Sequence, residues 1–133
     1  MIIGITGNVG SGKTTFAGCL EELGLRVIDV DRLAHRLLEE NGEIRERLAG
    51  AFGPGLFDAG GRPVRRRLAK IVFHEASQLR KLNKIVWPVL LGELSEAVEL
   101  FRREKSGTHL AVDMAVLFES GAESLFDFIV AVE

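Results

Sequence analysis

Residues Gly7-Asn8-Val9-Gly10-Ser11-Gly12-Lys13-Thr14 have the types and order that bind a phosphate. Their spacing is G-x-x-x-x-G-K-[ST], that of a phosphate-binding loop. Three glycines let the backbone curl so that successive N–H groups point at one anion, an approach side chains would block. The amides of a following helix start add partial positive charge. Lys13 can reach the β- and γ-phosphates of a nucleotide, and the Thr14 hydroxyl can hold Mg²⁺. Gly10, Ser11, Gly12, Lys13, Thr14 and Thr15 are therefore the candidate nucleotide-phosphate site.

Carboxylates form the second group. Asp29 and Asp31 lie two residues apart, so in an extended strand they point to the same side. Such a pair can orient an attacking hydroxyl or support a metal. It can equally be polar rim at Asp29 and a helix cap at Asp31. Asp113 follows Leu110-Ala111-Val112, a pattern that fits a carboxylate near Mg²⁺, with an exposed strand-end residue as the plainer account. Arg65, Arg66 and Arg67 fall in the first turn of an expected helix. Cations there are disfavoured by roughly 0.3–1 kcal/mol each where exposed, so they either face an anion or form a solvated face. His35, His74 and His109 share no metal-ligand spacing with Cys19, and His35 stands out only because it follows the Asp pair.

These groups need elements to position them. Ile2, Ile3 and Ile5 make a short apolar strand before the loop, and Phe16, Ala17, Leu20 and Leu23 follow at helical spacing. After Gly24, Leu25, Val27, Ile28 and Val30 form a second strand, its continuous apolarity suiting a parallel sheet buried on both faces. Asp31 is expected to cap a helix carrying Leu33, Ala34, Leu37 and Leu38. Asn41-Gly42 breaks that helix, and Ile44, Leu48, Ala51 and Phe52 line the next. A Gly-rich loop runs from Gly53 to Pro63, and Pro63 suits the first turn of a helix with Val64, Leu68, Ile71 and Val72 inward. Leu79, Leu82, Ile85 and Val86 belong to a further helix. Trp87-Pro88 marks a boundary or kink before a long helix with Leu90, Leu94, Ala97, Val98 and Phe101. Leu110 to Val112 and Phe128 to Val132 complete the strands. Residues of about 34–105 thus form a helical insertion between the second and third strands.

Composition limits the classes. The chain has 133 residues, 47% hydrophobic and 27% charged, which suits one globular domain with a proper core. A net charge of −2 supplies no basic field to draw nucleic acid. No apolar run approaches the ~20 residues that span a bilayer, and no signal peptide precedes the loop. The single cysteine, Cys19, rules out an internal disulfide framework and reads as a core thiol in a reducing, cytoplasmic compartment.

Together these residues resemble the bacterial dephospho-CoA kinase family. The resemblance runs through ITGNVGSGKTT at 5–15, VIDVDRLAHRLL at 27–38, Phe52-Gly53, Arg65-x-x-Leu68 with Ile71-Val72-Phe73, Asp113 and Leu117-Phe118-Glu119. It implies a P-loop NTPase-type α/β fold: a three-layer sandwich, its parallel sheet flanked by helices and carrying a substrate-binding helical insertion. The implied reaction moves the γ-phosphoryl group of ATP, with Mg²⁺, to the ribose 3′-hydroxyl of dephospho-CoA. Asp31 then accepts or orients that hydroxyl, and Lys13 serves the transferred phosphate. Thr14 and Asp113 attend the metal. Arg65 and His35 become substrate contacts, and the insertion becomes the CoA-binding region.

Two residues depart from the family pattern: Trp87-Pro88 stands where His-Pro is usual, and Ala115 where a proline is common. The family's chains are also longer, so a lid, adenine contacts and a fifth strand are expected beyond Glu133. By itself the piece 1–133 is expected to turn over poorly and to associate through its fourth strand. A different nucleoside or nucleotide kinase, or a nucleotide-binding module without turnover, would share the phosphate loop.

Overall fold

In the computed structural model, which describes residues 1–8, 10–104, 107–115, 117 and 120–133, four strands form one parallel sheet. They are β1 (Ile2–Gly7), β2 (Arg26–Asp29), β3 (Leu110–Asp113) and β4 (Phe128–Val132), in the order β2-β3-β1-β4. The order explains the burial. Every residue of the central strand β3 is buried, whereas the edge strands β2 and β4 are half-buried or exposed throughout. Ile2, Ile5, Leu110 and Val112 are fully or nearly fully enclosed, each worth about 1.5–3 kcal/mol of burial.

Helices cover both faces, as a parallel sheet requires. On one face α1 (Lys13–Glu22) sets Ala17, flanked by Phe16 and Leu20, against Ile5 and Ala111. Alternation turns Arg26 and Leu110 to the opposite face. There the Arg26 guanidinium lies 5.2 Å from the ring centre of Phe101, near the end of the helix Ala76–Glu104. The expected α/β architecture is therefore present. Cys19, however, is exposed rather than in the core. It stands two positions from Ala17, and residues so spaced point to different sides of a helix.

The chain divides into two compact units, Met1–Leu33 with Leu91–Glu133, and Ala34–Leu90. The first holds the sheet. The second is helical, apart from one isolated bridge between Phe57 and Pro63. Helix α2 (Val30–Glu40) is followed by α3 (Gly42–Phe52), whose N-terminus is capped by the Asn41 side chain accepting from the Ile44 N–H at 3.0 Å. Ile44 and Leu48 are completely buried. A 3₁₀ turn, Pro54–Leu56, leads to α4 (Arg65–His74) and then α5 (Ala76–Glu104). Lys105, the expected far end of the insertion, lies outside the described residues.

Two expectations are corrected here. Pro63 does not open α4, because its bridge to Phe57 and the Val64 N–H bond to the Leu56 carbonyl at 2.9 Å hold both residues extended. The helix starts at Arg65 instead. Nor does Trp87-Pro88 divide two helices: α5 is continuous for 29 residues with Pro88 inside it. A helical proline costs about 3 kcal/mol. Buried Ile85, Val86, Leu90, Leu94, Val98 and Phe101 outweigh that loss at about 1.5–3 kcal/mol each. Leu79, near the start of this helix, is 44% exposed.

Candidate active site

Because the strands are parallel, β1, β2 and β3 end on one rim of the sheet. Register places Asp113 beside Ile5 of β1 on one side and Asp29 of β2 on the other. The phosphate loop leaves β1 at Gly7 and enters α1 at Lys13. Gly12 occupies the N-cap position in the left-handed region at φ 91°, and Gly10 has φ 81°. Gly7 is required for a different reason. A Cβ there would stand 2.5 Å from the Val132 carbonyl oxygen and 2.8 Å from Ser11 Oγ. The Ser11 N–H donates to the Asn8 carbonyl at 3.1 Å, and no side chain caps the helix. Val9 lies outside the described residues.

A cavity of about 380 Å³ opens over this loop, lined by Gly7, Gly10, Gly12, Lys13, Thr14 and Asp31 among others. The Lys13 ammonium donates to Asp113 Oδ1, and the two side chains are only 13% and 9% exposed. An ammonium has three donors, so Lys13 can hold Asp113 and still serve an incoming anion. Ser11 Oγ is buried without a hydrogen-bond partner among the described residues. An orphaned hydroxyl and uncapped helix amides at a glycine-lined cavity fit a bound phosphate. Thr14 and Thr15 are exposed in the first turn of α1.

Among the described residues, no three His, Cys, Asp or Glu side chains gather to hold a metal. Mg²⁺ is commonly held by one or two carboxylates together with substrate phosphates rather than in an all-protein cage. Thr14 in the first turn of α1 and Asp113 at the end of β3 offer a hydroxyl and a carboxylate of that kind.

The Asp pair differs from expectation. Strand β2 ends at Asp29 and α2 begins at Val30, so the two carboxylates do not share one extended segment. Asp29, not Asp31, caps the helix: its Oδ1 accepts from the Asp31 N–H at 3.0 Å and the Arg32 N–H at 3.3 Å. The helix starts two residues earlier than a cap at Asp31 would place it, and Val30 is already buried as a helical residue. Asp31 is left free of capping and faces the loop cavity. The other two expected contacts lie in the second compact unit. His35 is exposed on α2, and Arg65 pairs with Glu39 at 3.2 Å. Of Leu117-Phe118-Glu119, Leu117 is buried, and Phe118 and Glu119 lie outside the described residues.

A family model described as dephospho-CoA kinase matches residues 1–133. The chain belongs to the dephospho-CoA kinase family. It is 37% identical over 133 residues to the dephospho-CoA kinase of Geobacillus kaustophilus, covering 99% of this chain and 65% of that one. Its identity to the dephospho-CoA kinase of Salinibacter ruber is 40% over 131 residues, covering 98% and 65%. A crystal structure of a Thermus thermophilus protein is similar at 39% identity, with a TM-score of 0.77 over 99% of this chain and 64% of that one. The dephospho-CoA kinase from Campylobacter jejuni shares the fold, with a TM-score of 0.73 at 21% identity over 98% and 64% of the two chains. The chain thus spans just under two thirds of the length of these similar proteins.

Proposed function

We propose that this chain carries the phosphoryl-transfer site of a dephospho-CoA kinase, moving the γ-phosphoryl group of ATP to the ribose 3′-hydroxyl of dephospho-CoA. One observation supports this above others: a single cavity is lined by both the phosphate cradle and Asp31. Gly10 to Thr15 hold the nucleotide phosphates through backbone N–H groups, and Lys13 places positive charge where the transferred phosphoryl is bound. Asp31 takes the proton of the 3′-hydroxyl as its oxygen bonds to the γ-phosphorus. The bond to the β–γ bridging oxygen breaks, and ADP leaves with that electron pair. Mg²⁺, held by Thr14, Asp113 and the phosphates, supplies charge neutralisation when bound. The helical unit, with His35 and Arg65, binds the acceptor. No described helix is long and apolar enough to cross a membrane, and the reading places the enzyme in the cytoplasm, acting on a small-molecule acceptor.

The test is a comparison of acceptors. Dephospho-CoA, a panel of nucleosides and a panel of nucleoside monophosphates are each offered with ATP and Mg²⁺, and phosphorylated product is followed by mass. Coenzyme A formed at a kcat/KM at least 100-fold above any other acceptor supports the reading. Preferential phosphorylation of a nucleoside or nucleotide would replace it.

A further inference from the structure

The chain passes from β2 to α2 with no intervening loop, since Asp29 ends the strand and Val30 starts the helix. Asp29 is fixed on both sides of that junction. Backward, its Cα is paired in register with Asp113, the residue that holds Lys13. Forward, its Oδ1 receives the N–H groups of Asp31 and Arg32 at 3.0 and 3.3 Å. These are the second and third amides of the helix, which have no intrahelical acceptor of their own. Val30 between them is buried and cannot shift freely. The Asp31 backbone is thus held by one carboxylate oxygen belonging to the strand that borders β3.

We infer that Asp29 is a positioning residue: its carboxylate sets the first turn of α2 and thereby the place from which Asp31 meets the acceptor hydroxyl. The inference rests on the reading of Asp31 as the proton-accepting group. It assigns Asp29 neither metal nor substrate, because the oxygen that would be used is committed to two amides. Arg32 Nε, 3.9 Å from Asp29 Oδ2, leaves the second oxygen facing a cation. What matters is then an acceptor atom at residue 29 and not its negative charge. Catalysis is sensitive to such placement, a displacement near 1 Å costing as much as ~100-fold.

The experiment compares Asp29→Ala, Asp29→Asn and Asp29→Ser in the protein, measuring kcat, ATP affinity and amide exchange at residues 31 and 32. Asparagine and serine are both competent N-caps, whereas alanine is not. The expected result is a fall in kcat of about 10- to 100-fold for Asp29→Ala, with ATP affinity unchanged and faster exchange at both amides. Asp29→Asn and Asp29→Ser recover most of that kcat and slow the exchange again. The inference is overturned if Asp29→Ala keeps its kcat, or if Asp29→Asn loses as much as Asp29→Ala. Asp31→Asn is run beside them. If it alone leaves kcat intact, the reading of Asp31 fails, while amide exchange still reports independently whether Asp29 holds the turn.

Discussion

At the scale of single residues, the site is built on a pair the linear sequence does not advertise. Lys13 belongs to a contiguous pattern, G-x-x-x-x-G-K-T, whose chemistry is local and therefore readable. Its partner Asp113 lies 100 positions away, brought next to it only because β3 inserts between β1 and β2. Removing Lys13 therefore costs more than a phosphate contact. Lys13→Ala leaves a nearly buried carboxylate uncompensated, and the expected loss of stability is about 3 kcal/mol, alongside weakened ATP binding. A double-mutant cycle with Asp113→Ala, read by denaturant unfolding, checks this. The pair should cost clearly less than the sum of the single substitutions, and strict additivity would refute the coupling. The Asp29–Asp31 pair shows where reading from sequence runs out. Both residues are visible, but which is cap and which is free depends on a strand ending one residue sooner. No property of a D-x-D triplet fixes that.

At the scale of elements, periodicity gave the strands and most helices, since burial on one face repeats regularly along the chain. It misplaced boundaries where proline was involved. Pro63 is expected in the first turn of a helix and is held extended before it, and Pro88, expected at a boundary or a kink, lies within a continuous α5. In each case contacts distant in sequence decide the matter. The proline in α5 leaves the Lys84 carbonyl without its usual donor. Pro88→Ala restores that bond, worth up to about 3 kcal/mol, less about 0.4–1 kcal/mol for a freer unfolded chain. A net gain near 2 kcal/mol should appear as a higher Tm by calorimetry. An unchanged or lower Tm would mean that α5 depends on the proline.

A second prediction at this scale concerns how β1 and β4 are joined at their starts. Asp127 Oδ2 accepts from the Ile2 N–H at 2.7 Å, and the Asp127 N–H donates to the Ile2 carbonyl at 2.8 Å. The Ile2 bond, assisted by Arg102 at 3.4 Å, holds the Asp127 carboxyl below its ordinary value of 3.8. A carboxyl lowered in the folded state stabilises above its unfolded pKa, and the contribution is lost as pH falls through the folded value. Asp127→Asn should therefore melt below the parent at pH 7, with the gap closing as pH drops under about 3.8. A gap that stays constant across that range would sever the link to ionisation.

At the scale of the whole molecule, the sheet unit and the helical unit divide the work differently. The sheet unit contains the entire loop cavity, and its logic was legible because a phosphate loop after an apolar strand carries its own structural context. The helical unit contains His35 and Arg65, and its apolar stripes reveal helices without revealing what they bind. Arg67 illustrates the difficulty. Within an Arg65-Arg66-Arg67 run that reads equally as anion-directed or as a solvated face, its guanidinium donates to the Gly55 and Phe57 carbonyls at 3.0 Å each and supports a loop. Charge alone could not distinguish that use from substrate binding.

The account stands on Asp31 acting on the acceptor across the cavity from the phosphate cradle. The most direct measurement is steady-state turnover of Asp31→Asn with ATP and dephospho-CoA, together with calorimetric affinities for both. A lost general base lowers kcat by about 10²–10⁴-fold, and both affinities should stay within a few-fold of the parent, because the interaction matures only in the transition state. Turnover of Asp31→Asn equal to the parent's, with affinities intact, would contradict the account.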